Sequence, residues 1–192
     1  MSTAWIFRVV AVSVCAGTLL AACGSSTISS ASPTPSASTT TTGVNPALKV
    51  AMVPSDLPAS AAGFTQTGDG LLGSTPSTDA RIFASPDSTT KVEIDVAVDT
   101  SASAASSDYT AFKSAAAIQV PTQTRTSSPA VGSRADEYVG TSSGGQSVVA
   151  LAFVEGSVIC VVTAQSSIGP VDPVLVEAIA TAQVSKIRSA GL

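Results

Sequence analysis

The sequence predicts an α+β domain over residues 45–192, an antiparallel sheet with helices packed on one side. Three observations lead there. Val92, Ile94, Val96 and Val98 alternate with Glu93, Asp95 and Asp99, which is the period of a strand with one face on a core and one in water. After Asp99 the period lengthens to that of a helix, with Ala102, Ala105, Tyr109, Phe112 and Ala116 on one stripe. Near the C-terminus, Asp172-Pro173 has the form of a helix cap followed by proline at the first helical position. The helix it opens puts Leu175, Ile179 and Ala182 against the sheet, with Val176, Val184 and Ile187 as further candidates.

Taken in order, Asn45-Pro46 caps a short helix over residues 47–52 that stops before Pro54. Pro54, Pro58, Gly63, Gly68, Gly70 and Gly73 then mark a loop region. Strands are expected over residues 79–84 and 91–98, joined by a turn at Pro86-Asp87-Ser88. The helix that follows ends before Pro121. Three more strands fall near residues 133–141, 146–154 and 157–165, the last two closed by a tight turn at Glu155-Gly156. Val149, Leu151 and Phe153 oppose Val148, Ala150 and Val154, so both faces of this hairpin are apolar and it belongs in mid-sheet or in a sheet covered on both sides. The order also reads as two strand-strand-helix halves, without an internal sequence repeat. Lys186 and Arg188 in the last turns complement the dipole of the final helix.

Residues 1–44 have a different character. Arg8 precedes an apolar run from Val9, and the run ends at Leu20-Ala21-Ala22-Cys23. An uncleaved membrane helix fits poorly, because the run is short of the roughly 20 residues a bilayer requires and contains Ser13, Cys15, Gly17 and Thr18. An ordinary secretion signal could also end among the small residues before Cys23. The quartet resembles the lipobox of bacterial lipoproteins, which implies a signal peptide over residues 1–22, cleavage after Ala22 and a diacylglycerol on the Cys23 sulfur. Each buried acyl methylene contributes about 0.8 kcal/mol, and two chains suffice for stable attachment. Residues 23–44 then form a tether of Ser, Thr, Ala and Pro that cannot offset its ordering entropy, with a span of about 25 Å. Such tracts can also carry O-linked sugars.

Charge and cysteine content exclude several functions. The net charge is -4, and the acidic residues all lie beyond the signal, so nucleic acid is not an expected partner. Of the 3 cysteines, Cys15 leaves with the signal, Cys23 is acylated, and Cys160 reads as a buried small hydrophobe within Val158-Ile159-Cys160-Val161-Val162. No intramolecular disulfide is then available.

Catalysis finds little foothold. Gly140-Thr141-Ser142-Ser143-Gly144 has the letters of a nucleophile elbow, but a strand follows where a helix is needed, and the chain has 0 histidines to act as base. A flexible hairpin loop is the better reading. A carboxylate site for calcium is conceivable at Glu93, Asp95 and Asp99, or at Asp136-Glu137, but neither has the looped spacing such sites use, and alternate carboxylates on a strand usually face water. Lys49, Lys91, Lys113 and Lys186 are the lysine bases available, none in a Ser-x-x-Lys pattern, and Ser185-Lys186 diverges on a helix. Gly68-Asp69-Gly70 is a turn signal too short to cradle phosphate. No enzyme activity, cofactor or metal is expected.

Lipobox, Ser/Thr/Pro tether and a small Ala-, Val-, Ser- and Thr-rich domain together resemble the small envelope lipoproteins of actinobacteria, mycobacteria among them. That resemblance implies a protein held on the outer face of the cell membrane by its lipid. The expected function is a non-catalytic binding or sensing module with an envelope protein or lipid as partner, the loop between Arg125 and Arg134 and the segment from Pro54 to Pro58 being candidate edges. The alternatives are a carrier of an apolar ligand between sheet and helices, suggested by the alanine-rich helix faces, and a cryptic hydrolase.

Overall fold

The computed structural model describes residues 45–69 and 77–192. The expected signal segment, Ala22, Cys23 and the tether lie outside the described residues, as do Gly70 and Gly73. The elements are α1 (Ala47–Val50), two 3-10 turns (Pro54–Asp56 and Ala59–Ala61), β1 (Thr65–Asp69), β2 (Thr78–Ala84), β3 (Thr90–Val98), α2 (Ala102–Gln119), β4 (Thr122–Ser127), β5 (Arg134–Thr141), β6 (Ser147–Glu155), β7 (Val158–Ser166) and α3 (Pro173–Ser189). One 7-stranded sheet runs in the order β1-β2-β3-β7-β6-β5-β4, with every neighbouring pair antiparallel. No described helix is long and apolar enough to cross a membrane.

The caps are chemically legible. Asn45 Oδ1 accepts from the Ala47 N–H at 2.9 Å and Asp172 Oδ1 from the Val174 N–H at 2.9 Å, as their sequence positions predict. Ser101 Oγ accepts from the Ala104 N–H at 3.2 Å to start α2. At the β2–β3 turn, Asp87 accepts from the Ser85 hydroxyl and from the Thr89 N–H and hydroxyl, which holds its carboxyl below the usual range.

Two apolar layers sandwich the sheet. On one face α3 and α1 cover Phe83, Val92, Ile94, Val96, Leu151, Phe153, Cys160 and Val162, and on the other α2 covers Val148, Ala150, Ala152, Ile159 and Val161. The α+β class and the antiparallel sheet match the expectation, and the apolar β6–β7 hairpin lies in mid-sheet, covered on both sides. One detail differs: the two long helices occupy opposite faces, because residues 148–154 of β6 and 158–162 of β7 put apolar side chains on both sides of the sheet and each face must be sealed. Nor are there two equivalent halves, since α2 follows β3 yet packs on β5, β6 and β7. The buried stripe of α3 runs through Val176, Ala180, Gln183 and Ile187 as well as Ile179 and Val184, leaving Leu175 and Ala182 only partly buried.

Two strands have no counterpart in the sequence reading. β1 and β4 are the sheet's edges, polar on both faces and each interrupted by a register shift, so neither shows an alternating pattern. Gly68 and Asp69 accordingly belong to β1 and not to a turn. β4 approaches β5 so closely that a Cβ on Gly140 would sit 1.9 Å from the Thr122 carbonyl oxygen.

Candidate functional site

The register divides the domain into two poles. At one, Asn45 Nδ2 donates to the Thr78 carbonyl at 2.9 Å, so the chain arrives where β2 begins and β3 ends. At the other lie the β2–β3 turn, the β5–β6 hairpin, the end of α2 and the loop from β7 to α3. This far pole holds an open cleft of about 540 Å³ between the hairpin and that loop, lined by groups such as Thr124, Thr141, Gly144, Gln146, Ser167 and Pro170, with no charged residue among its walls. Ile118, Ile168 and Val174 belong to the same pole and are 77%, 75% and 66% exposed, although each could have been a core residue by type.

The hairpin beside the cleft contains the Gly-x-Ser-x-Gly letters. Ser142 N–H donates to the Gln146 carbonyl and Gly145 N–H to the Ser142 carbonyl, both at 2.9 Å, and Gly145 has a φ of 76°, the left-handed conformation that glycine tolerates. Gln146 N–H also donates to Ser142 Oγ at 3.2 Å. The motif is therefore a serine-glycine hairpin loop with a largely buried Ser142.

The lysines are engaged or remote. Lys186 pairs with Asp56, whose carboxyl burial would push up but which the lysine holds below its ordinary range. Lys113 lies 3.0 Å from Asp136, and Lys49 and Lys91 are exposed. Ser185 Oγ donates to the Thr181 carbonyl at 3.1 Å. Cys160 is fully buried and its thiol is pushed up by burial, as its apolar neighbours predict.

The carboxylate candidates separate. Asp136 and Glu137 project from opposite faces of β5 and do not form one site. Asp136 meets Tyr109 Oη at 2.8 Å and Lys113 Nζ, while the Arg134 guanidinium lies 4.6 Å from the centre of the Tyr109 ring. Burial, then the bond to Asp136, raises the Tyr109 hydroxyl well above its ordinary range. Glu137, fully buried, accepts from Arg125 and the Ser127 hydroxyl, both at 2.8 Å and both on Oε1. Both arginines of the expected interaction loop are thus tied into the fold.

Glu93 and Asp95 share the α2-facing side of β3, and here the water-facing reading fails. Neither is freely exposed, and Asp95 Oδ1 is shut off from water without a hydrogen-bond partner. Burial and the Glu93 charge push Asp95 up to about 8, and burial raises Glu93 as well. The reason is topological: β3 lies between β2 and β7 in the interior of the sheet. Asp99, past the end of the strand, is raised by burial and by Asp108. Among the described residues no three His, Cys, Asp or Glu side chains gather into a metal-holding group.

Sequence reasoning missed the far pole. A usable signal lies in Ser167-Ile168-Gly169-Pro170, a large apolar residue in a breaker-rich loop with no periodic partner. No family model, curated protein or solved structure matches the chain.

Proposed function

We propose that the chain is a lipid-anchored protein of the cell envelope, held through Cys23, that acts as a non-catalytic binding module through the pole of its domain opposite the chain's point of arrival. The observation that carries this reading is the make-up of that pole: an uncharged cleft of serine, threonine, glycine and glutamine groups, with Ile118, Ile168 and Val174 exposed at the same end of the domain. Neutral hydroxyl, amide and main-chain groups suit an uncharged partner able to exchange hydrogen bonds, and the exposed apolar side chains of this pole supply area to bury. The carrier alternative needs room between helix and sheet, whereas Ala105 and Ala116 of α2 are fully buried against the strands, which favours close packing.

Two measurements test the reading. In detergent phase partition, Cys23→Ala should transfer the protein to the aqueous phase; retention in detergent would overturn the anchor. Isotope-labelled full-length protein titrated with neutral, soluble envelope saccharides and peptides should show amide changes confined to residues 142–146 and 167–171. Amide changes along α2 together with a lipid-sized mass released by organic solvent would instead establish the carrier.

A further inference from the structure

We propose that Glu93, Asp95 and Thr163 form a site for a hard divalent cation of the calcium class on the α2-facing side of the sheet. In the β3–β7 register Glu93 stands directly opposite Thr163, and directly opposed residues of an antiparallel pair share a face with Cβ atoms about 5 Å apart. Asp95 is the next residue of β3 on that face.

The independent sign of a ligand is Thr163. Its side chain is 4% exposed and its Oγ1 has no hydrogen-bond partner, although a hydroxyl can both donate and accept. Asp95 Oδ1, on the same face one strand repeat further along, is likewise buried and unpartnered. An orphaned buried polar atom is costly, and two on one face of adjacent strands are best explained by something that meets both. A cation does so: carboxylate and hydroxyl oxygens are hard donors, and calcium accepts them in flexible geometry with water completing the shell.

Lys91 precedes Glu93 on the same face of β3, but it is exposed and pairs with neither carboxylate. Glu93 and Asp95 take part in none of the ion pairs among the described residues. Their same-face cross-strand neighbours are Ile82 and Ala80 on β2 and Thr163 and Val161 on β7. Cys160, the nearest soft ligand by sequence, belongs to the opposite face. Glu93 and Asp95 are each only partly buried as residues, while Asp95 Oδ1 and Thr163 Oγ1 are themselves closed to water.

The test uses full-length protein stripped with chelator, followed by thermal unfolding at pH 7.5 in calcium chloride, magnesium chloride or sodium chloride of equal ionic strength. For an affinity in the submillimolar to millimolar range typical of extracellular modules, about 10 mM calcium should raise the melting temperature by about 4–8 °C. Asp95→Asn should abolish the rise and Thr163→Val should reduce it, whereas Glu177→Gln on α3 should keep it. Far-UV circular dichroism confirms that the variants fold. A calcium response no larger than that of sodium, an equal response to magnesium, or a full response in Asp95→Asn or Thr163→Val would overturn the site.

Discussion

Asp95→Asn should stabilise the cation-free protein at neutral pH. In the unfolded chain the Asp95 carboxyl titrates at its ordinary 3.8, whereas burial beside Glu93 pushes it up to about 8 in the fold. A raised acid costs nothing below the lower value, because both states are then protonated. Above it the unfolded chain loses its proton first, so folding loses ground with each pH unit until the folded carboxyl also ionises near 8. At about 1.4 kcal/mol per unit the cost at pH 7 is about 4 kcal/mol, and partial solvent contact lowers the expected value to about 2–4 kcal/mol. Asparagine keeps the shape and removes the charge. Urea unfolding in chelator should therefore show the variant ahead by that amount at pH 7, a gain of about 6–12 °C in melting temperature, with the two proteins converging at pH 4. A variant no more stable than the parent at pH 7, or an advantage that persists unchanged at pH 4, would refute the reasoning.

Tyr109→Phe removes the hydroxyl that lies 2.8 Å from Asp136 Oδ2 and 3.1 Å from the Ala152 carbonyl oxygen, and should cost about 1–3 kcal/mol in urea unfolding, the loss falling on the docking of α2. Gly140→Ala has no room against the Thr122 carbonyl, so amide exchange in β4 should accelerate by orders of magnitude, while protection in β3 and β7 changes far less. Arg125→Met leaves the fully buried Glu137 without its cation and should destabilise by about 3 kcal/mol, and the double change Arg125→Met with Glu137→Met should recover most of it.

Much of this fold was written in local chemistry. Asn45 and Asp172 announce their helices because their side chains have few uses other than capping the N–H groups that follow. The β6–β7 hairpin declared its central position because Val148 to Val154 leave no face for water. β1 and β4 were illegible for the converse reason: an edge strand is held by its main chain, and Thr122-Gln123-Thr124-Arg125-Thr126-Ser127 could equally be a loop. The faces of the helices failed for a different reason. Periodicity tells which stripe of α2 is buried but not which strands it meets, and that choice rests on long-range topology. The same holds for the carboxylates of β3, whose alternation is that of a water-facing surface, whereas the strand lies between β2 and β7. At the far pole the cleft joins residues near 124, 144 and 169, too far apart in sequence for any pattern to link them.

The place of β7 in the strand order governs how this molecule can be made. Its main chain is hydrogen-bonded on one side to β3, through pairs from Thr90–Ser166 to Val98–Val158, and on the other to β6. The last strand to leave the ribosome is thus the seam joining the earlier three strands to the later three, and α2, synthesised long before it, has its docking surface on β6 and β7. A nascent chain truncated before residue 158 holds two three-stranded parts with no strand to join them, and the β3–β7 contacts, of long sequence separation, form slowly. The single seven-stranded sheet therefore cannot close until nearly the whole length of the chain is available. Under the proposed export to the envelope, that delay would itself be a form of protection: folding would wait for the far side of the membrane because the keystone arrives last.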